Sequence, residues 1–324
     1  MRPGTVERFP FPFTSGTFRY STNVEPAPRP VTTAAGSWGG TVVDVGDSYR
    51  DELELRGRIL RADPSRCTVL PHMWPACWDA LLYLLGELAA DHPEAMAFER
   101  DGRKCRWRND LLGVEKTFTI GDRDSLPGGP LRFAGEQVQE DLVLLDQRED
   151  ELWADAGLVT FAADWSLAFD VGMAFQDVHG PVPPRVHEEG VFTRAERFLM
   201  RLQPGQAYRR TNWSMTAGHR LDTSTENAPA WTPERERMIA EAPDGLPERL
   251  HLRVEVQHVV RLAPSGAVLF LIRTYLLSLR DLARVPQWRR DLASVLDDLP
   301  EDVADYKGLT RFRRAAVDYL RATG

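Results

Sequence analysis

Two stretches in the first third of the chain repeat apolar residues at helical spacing. They are 47–62 and 78–92, the second with Leu81, Leu82, Leu84, Leu85 and Leu88 along one stripe, and both are predicted as amphipathic helices. The forty residues before them are rich in Pro, Gly, Ser and Thr and carry the run Phe9-Pro10-Phe11-Pro12-Phe13. Such a segment suits extended chain, anchored by its aromatic rings, that wraps a core formed later in the sequence. From about residue 136 the period changes. Residues 138–145 and 158–165 are short β-rich runs separated by an acidic stretch, 146–155, which reads as a hairpin with a longer loop.

A loop and short-helix region is predicted over 166–184, then a helix over 193–202 that stops at Pro204-Gly205. Three further strands are predicted at 207–215, 250–262 and 267–279, the last two joined by the turn Ala263-Pro264-Ser265-Gly266. Residues 216–248 are polar and broken by Pro and Gly around Trp231, so they read as an insertion. The tail, 281–324, is helical and charged. This order predicts an α+β fold, an antiparallel sheet with helices segregated to one side. The expected division is an N-terminal extended and helical segment over 1–136, a core over 137–280 and a helical tail over 281–324.

Composition narrows the function classes. The 40 basic and 48 acidic side chains give a formal charge of −8, which disfavours a general nucleic-acid or anionic-membrane binder. Only three of the basic residues are lysines, Lys104, Lys116 and Lys307, so a lone arginine carries little information. Cys67, Cys77 and Cys105 give an odd count without CxxC spacing, which argues against a disulfide framework and for a reducing compartment. No signal-peptide pattern and no long apolar run occurs, so the expectation is a cytoplasmic protein outside the membrane. HExxH, GxxxxGK[ST], GxSxG and GxGxxG are all missing from the sequence.

Four constellations remain. His179 stands immediately before Gly180-Pro181-Val182-Pro183-Pro184, which cannot continue a helix. A histidine so held either buttresses a turn or turns its imidazole into an apolar cavity, where it can ligate haem iron. On the strands, Tyr208, Arg210, Asn212 and Ser214 alternate with Arg209, Thr211, Trp213 and Met215, and Arg253, Glu255 and Gln257 alternate with Leu252, Val254 and Val256. If the two strands are neighbours in register, the polar rows meet as a patch able to orient a substrate; otherwise they form a solvated face. Arg273-Thr274-Tyr275 could join that patch. Gln139-Glu140-Asp141 opens the first strand with adjacent carboxylates that point to opposite faces, so at most one could hold an amine in a pocket. Cys67, His72 and Cys77 lack a fourth metal ligand, and the Met73-Trp74-Pro75 filling reads as core.

Taken together, Val138-Gln139-Glu140-Asp141-Leu142, the 178–183 element around His179, Arg210-x-Asn212-Trp213, Arg253-x-Glu255-x-Gln257, Arg261-Leu262-x-Pro264-Ser265-Gly266-Ala267 and Arg273-Thr274-Tyr275 resemble the haem-dependent oxidative N-demethylase alpha-subunit family. The resemblance runs from about residue 43 to 279. It implies a PAS-like haem-binding core over 137–280, with which the derived element order agrees. It also implies haem b with His179 as iron ligand, cofactor contacts from Arg210, Asn212, Trp213, Arg253 and Tyr275, and catalytic roles for Glu140, Glu255 and Gln257. His187 and His258 are the alternative ligands.

The activity implied is oxidation by dioxygen of a C–H bond next to the nitrogen of a small amine, giving a carbinolamine that collapses to the dealkylated amine and an aldehyde. The chain carries no iron–sulfur cysteine set and no dinucleotide fingerprint, so its electrons would come from a partner reductase, flavin and iron–sulfur based and using NAD(P)H. A haem-PAS sensor or ligand-binding module without turnover is the alternative, as is a haem-free structural subunit. The short stretch after residue 280 is too small for a kinase or cyclase output domain, which favours the enzyme.

Overall fold

A computed structural model of the chain describes residues 5–241 and 244–323. Its centre is a seven-stranded antiparallel sheet built, in chain order, from β1 (Glu25–Ala27), β2 (Cys67–Val69), β3 (Asp141–Arg148), β4 (Glu151–Leu158), β5 (Ala207–Ala217), β6 (Leu250–Arg261) and β7 (Val268–Ser278). The spatial order is β1-β5-β6-β7-β3-β4-β2. The hairpin β3–β4 therefore lies beside the last strand, and the helices between β4 and β5 cross from one side of the sheet to the other.

The long helices are α1 (Tyr49–Ala62), α2 (Trp74–Asp91), α3 (Val191–Met200), α4 (Ala228–Ala240), α5 (Pro286–Asp298) and α6 (Arg313–Ala322). Alternation along the strands assigns them to faces. Leu142, Leu144, Leu269 and Leu271 pack with Leu60, Leu81 and Leu85 of α1 and α2. Further along the same face, Leu252, Val254 and Leu277 pack with α5 and α6. The opposite face, Val143, Leu145, Val259 and Val268, is covered by Leu167, Leu199 and Leu202. Helices thus lie on both faces, with α1, α2, α4 and the tail on one and the short helices and α3 on the other. The short helices Leu167–Asp170 and Phe175–Val178 press close: a Cβ on Gly157 would sit 2.6 Å from Leu167 Cδ1. No helix among the described residues is long and apolar enough to cross a membrane.

The aromatic start of the chain docks as its composition suggests. The Phe11 ring stacks on Trp288 of α5 at 4.9 Å, and Phe13 meets Trp213 edge-on at 5.1 Å. The first hairpin differs from expectation. Its turn is only Glu149-Asp150, both in the left-handed region with φ of 55° and 62°, as a two-residue turn requires. The acidic stretch is mostly strand, because Asp155 points inward to meet Arg148 and His72. A second sheet, Met96–Asp101, Lys104–Asn109 and Val114–Thr119, lies in a region with no predicted strands. The insertion contributes two residues to β5 and all of α4.

One buried ion pair ties these pieces together. Arg56 of α1 and Asp141, the first residue of β3, lie 2.9 Å apart, both essentially without exposure. Arg56 also donates to the carbonyls of Gly135, Val138 and Gln139, while Asp141 accepts from the backbone N–H of Thr160 and Phe161. Removing one member of such a pair strands the other charge in the core. Arg56→Met is therefore expected to cost about 3–5 kcal/mol in urea unfolding. A loss below about 1 kcal/mol would contradict this assignment.

Candidate functional site

Register decides which polar residues meet. β5 and β6 pair with Arg210 opposite Gln257, Asn212 opposite Glu255 and Ser214 opposite Arg253. The two polar rows therefore form one patch. Arg210 donates to Gln257 Oε1 at 2.8 Å and to the Thr22 carbonyl at 3.0 Å. Gln257 Nε2 and Asn212 Nδ2 both point at Glu255 Oε2, at 3.1 and 3.4 Å, and Arg253 Nε reaches Glu255 Oε1 at 3.2 Å. Glu255 is thus a nearly buried carboxylate whose two oxygens are held by three separate side chains. Arg253 is itself fixed by the carbonyls of Leu221 and Phe161 and by Thr274 Oγ1.

His179 lies on the same face, at the end of the helix Phe175–Val178. Its Nδ1 is 2.7 Å from the Phe175 carbonyl. A carbonyl only accepts, so Nδ1 carries the proton and Nε2 keeps its lone pair. Burial lowers the imidazole pKa to about 4, with Arg210 and His187 acting in the same sense, so the ring is neutral at physiological pH. Phe175 and Phe192 flank it with centroids at 4.4 Å each, and His187 packs on the other part of Phe192 at 5.1 Å. The neighbouring wall, Val178, Phe198, Tyr208 and Phe270, is apolar. A neutral imidazole with a fixed tautomer and a free Nε2, beside aromatic walls and the Arg210 cation, is a donor set that suits haem.

The opposite face holds the rest. Trp213 and Tyr275 both stand in the row of Val254, and Trp213 joins the core cluster of the C-terminal helices. The Tyr275 hydroxyl donates to Asp44 Oδ2 at 2.8 Å, and Arg273 lies over its ring. Arg273 pairs with Glu52 at 2.8 Å. Beside them opens a cleft of about 850 Å³, where β7 runs past the end of β3 and faces α1. The structure therefore does not bring Trp213 and Tyr275 to the Glu255 patch. His258 also stands on this far face, buried with both ring nitrogens unpartnered and its pKa lowered by burial to about 3. His72 turns to Asp155 at 2.8 Å rather than towards Cys67 and Cys77.

Glu140 belongs to this second group. Its Oε1 accepts from the Asp44 N–H at 2.9 Å, while Oε2 is buried without a partner. Burial raises its pKa to about 7, against the pull of Arg273 and the Asp44 N–H.

Three further residues close the Glu255 site. Tyr20, from the N-terminal segment, packs against Val182, Val186 and Phe192 and lies near the Arg210 charge. Lys307 donates to the Trp213 carbonyl at 2.7 Å and feels both Arg210 and Glu255. Asp164 takes a left-handed φ of 60° and faces Arg235, Arg253 and Glu255. The signals available were an aromatic in a Pro-rich segment and a rare lysine in an arginine-dominated chain.

A titration follows from Glu140. With its pKa raised in the folded state, the fold holds an extra proton between about pH 4.5 and 7, so stability falls across that window as pH rises. Relative to Glu140→Gln, the native protein is expected to lose on the order of 2 kcal/mol between about pH 5 and pH 8 in urea unfolding. Parallel pH profiles for the two proteins would refute the raised pKa.

A family model described as haem-dependent oxidative N-demethylase, alpha subunit-like, matches residues 36–317. That span includes both faces of the sheet, the His179 element and most of the C-terminal helices, and the chain belongs to this haem-dependent oxidative N-demethylase alpha subunit-like family.

Proposed function

We propose that this protein binds haem b on the face of the sheet that carries His179 and the Glu255 patch, and there oxidises an N-methyl group of a small amine with dioxygen. The observation that carries the reading is His179: its Nδ1 proton is committed to the Phe175 carbonyl, and its neutral Nε2 is left for the iron. Family membership supports haem dependence and an oxidative N-demethylase-like activity. The strand order, with the initial hairpin beside the last strand and short helices between its second and third members, supports a PAS-like core over 137–280.

His179, its ring flanked by Phe175 and Phe192, would hold the iron, and Arg210 would offer a cation to a propionate. When bound, haem supplies dioxygen activation and one-electron chemistry. The chain's own residues do the rest. Glu255 accepts N–H bonds from the amine and balances its charge, with Arg253, Gln257 and Asn212 fixing its two oxygens. Tyr20 and Phe192 exclude water from the approach. The alpha-subunit character of the family supports a separate electron supply, a flavin and iron–sulfur reductase using NAD(P)H. The three cysteines are free thiols, which suits action in the cytoplasm.

The test is an absorption spectrum of the protein expressed with a haem precursor, recorded before and after reduction and exposure to carbon monoxide, beside His179→Ala. A Soret band in the native protein, lost or shifted in the variant, is expected. An unchanged band would move the ligand to His187, its neighbour on Phe192. No band in either protein would end the haem reading.

A further inference from the structure

At the outer end of the polar row lies a small cavity lined by Asp164, Ser214, Trp231, Arg235, Arg253 and Lys307. Cations outnumber carboxylates there: Arg235, Arg253 and Lys307 face Asp164 and, through its pairing with Arg253, Glu255. Arg253 is fully engaged by Glu255, Thr274 and two carbonyls. The other two cations are not. The Arg235 guanidinium rests over Trp231 at 5.2 Å, and its Nε is buried without a hydrogen-bond partner. Lys307 gives one of its three protons to the Trp213 carbonyl and sits 4.8 Å over that residue's ring. Burial, and then the nearby Arg210, lower its pKa to about 8 against the pull of Glu255. A buried donor without an acceptor, such as Arg235 Nε, is costly, and an anion would satisfy it.

The cavity adjoins the amine site, because Arg253 lines it while its Nε bonds Glu255. An acceptor for ammonium and a cationic pocket, sharing one arginine as their wall, match the two ends of an amino acid. We infer that the Arg235–Lys307 cavity binds the carboxylate of an N-methylated amino acid whose amine is held by Glu255. This inference rests on reading Glu255 as the amine site, and it names the substrate class of that site.

Calorimetric titration of the haem-loaded full-length protein with N,N-dimethylglycine, dimethylamine and acetate tests it. Dimethylglycine is expected to bind at least tenfold more tightly than dimethylamine. Arg235→Gln should remove that advantage while leaving dimethylamine affinity within about twofold, and Lys307→Gln should independently remove the advantage. Equal binding of the two amines by the native protein, or an advantage that survives both substitutions, overturns the inference without needing any variant to be inactive. Acetate separates the two readings: acetate binding that falls in Arg235→Gln, in a protein that binds neither amine, keeps the carboxylate site and removes the amine assignment. Loss of haem from both variants, read as the Soret absorbance per chain, would give the cavity to a propionate and overturn the substrate assignment.

Discussion

Arg56 and Asp141 have no contact with solvent, so neither charge can be maintained unless the other is in place. Their five-fold and four-fold hydrogen bonding pins α1, the segment entering β3 and the start of the 160–165 loop to one point. From there a polar path leads to the candidate site. The Phe161 carbonyl, positioned by Asp141 through its own N–H, accepts from Arg253, which in turn orients Glu255. Hydrophobic burial alone would tolerate small sliding of α1 against the sheet, whereas this directional network does not. The geometry of the Glu255 carboxylate is therefore inherited from an ion pair whose Asp141 stands two strands away on the same face of the sheet.

The sheet separates two polar systems. One face gathers His179, Arg210, Asn212, Glu255 and Gln257 with an apolar wall, which is the combination a hydrophobic redox cofactor and a small polar substrate both need. On the other, Glu140, Asp44, Tyr275, Arg273 and Glu52 satisfy one another largely by direct contact. Their role in the fold follows from burial: Tyr275 and Arg273 hold the free stretch of β7 to α1 and to the segment around Asp44. The adjoining cleft is wide, yet its walls carry these paired charges rather than the open lone pair found at His179.

How much of this was legible in the sequence varies with the kind of signal. Strands β5, β6 and β7 and helix α3 were readable within a few residues, because period-two and period-3.6 patterns were strong and bounded by Pro and Gly. The meeting of Arg210 with Gln257 and of Asn212 with Glu255 was readable as a possibility, and register settled it. The hairpin β3–β4 was misplaced because Asp155, a buried strand residue, looks like part of an acidic loop. The sheet around Lys104–Asn109 was missed although Cys105, Trp107 and Asn109 alternate with charges, since its arginine-rich face hides the period. Alternation alone separates Trp213 from Asn212 and His258 from Gln257, whereas the face of Tyr275 relative to the patch needed the β6–β7 register. Lys307 and Tyr20 reach the site from the two ends of the described chain, and no local pattern encodes that.

The central claim is that His179 and the Arg210–Glu255–Gln257 row share one face and one site, with Tyr275 outside it. The infrared C–O stretch of the carbon monoxide adduct of the reduced, haem-loaded protein reports directly on polar groups beside the bound gas. The account predicts a shifted stretch in Gln257→Ala and an unshifted one in Tyr275→Phe. A shift in Tyr275→Phe with none in Gln257→Ala, or no adduct in the haem-loaded native protein, would contradict it.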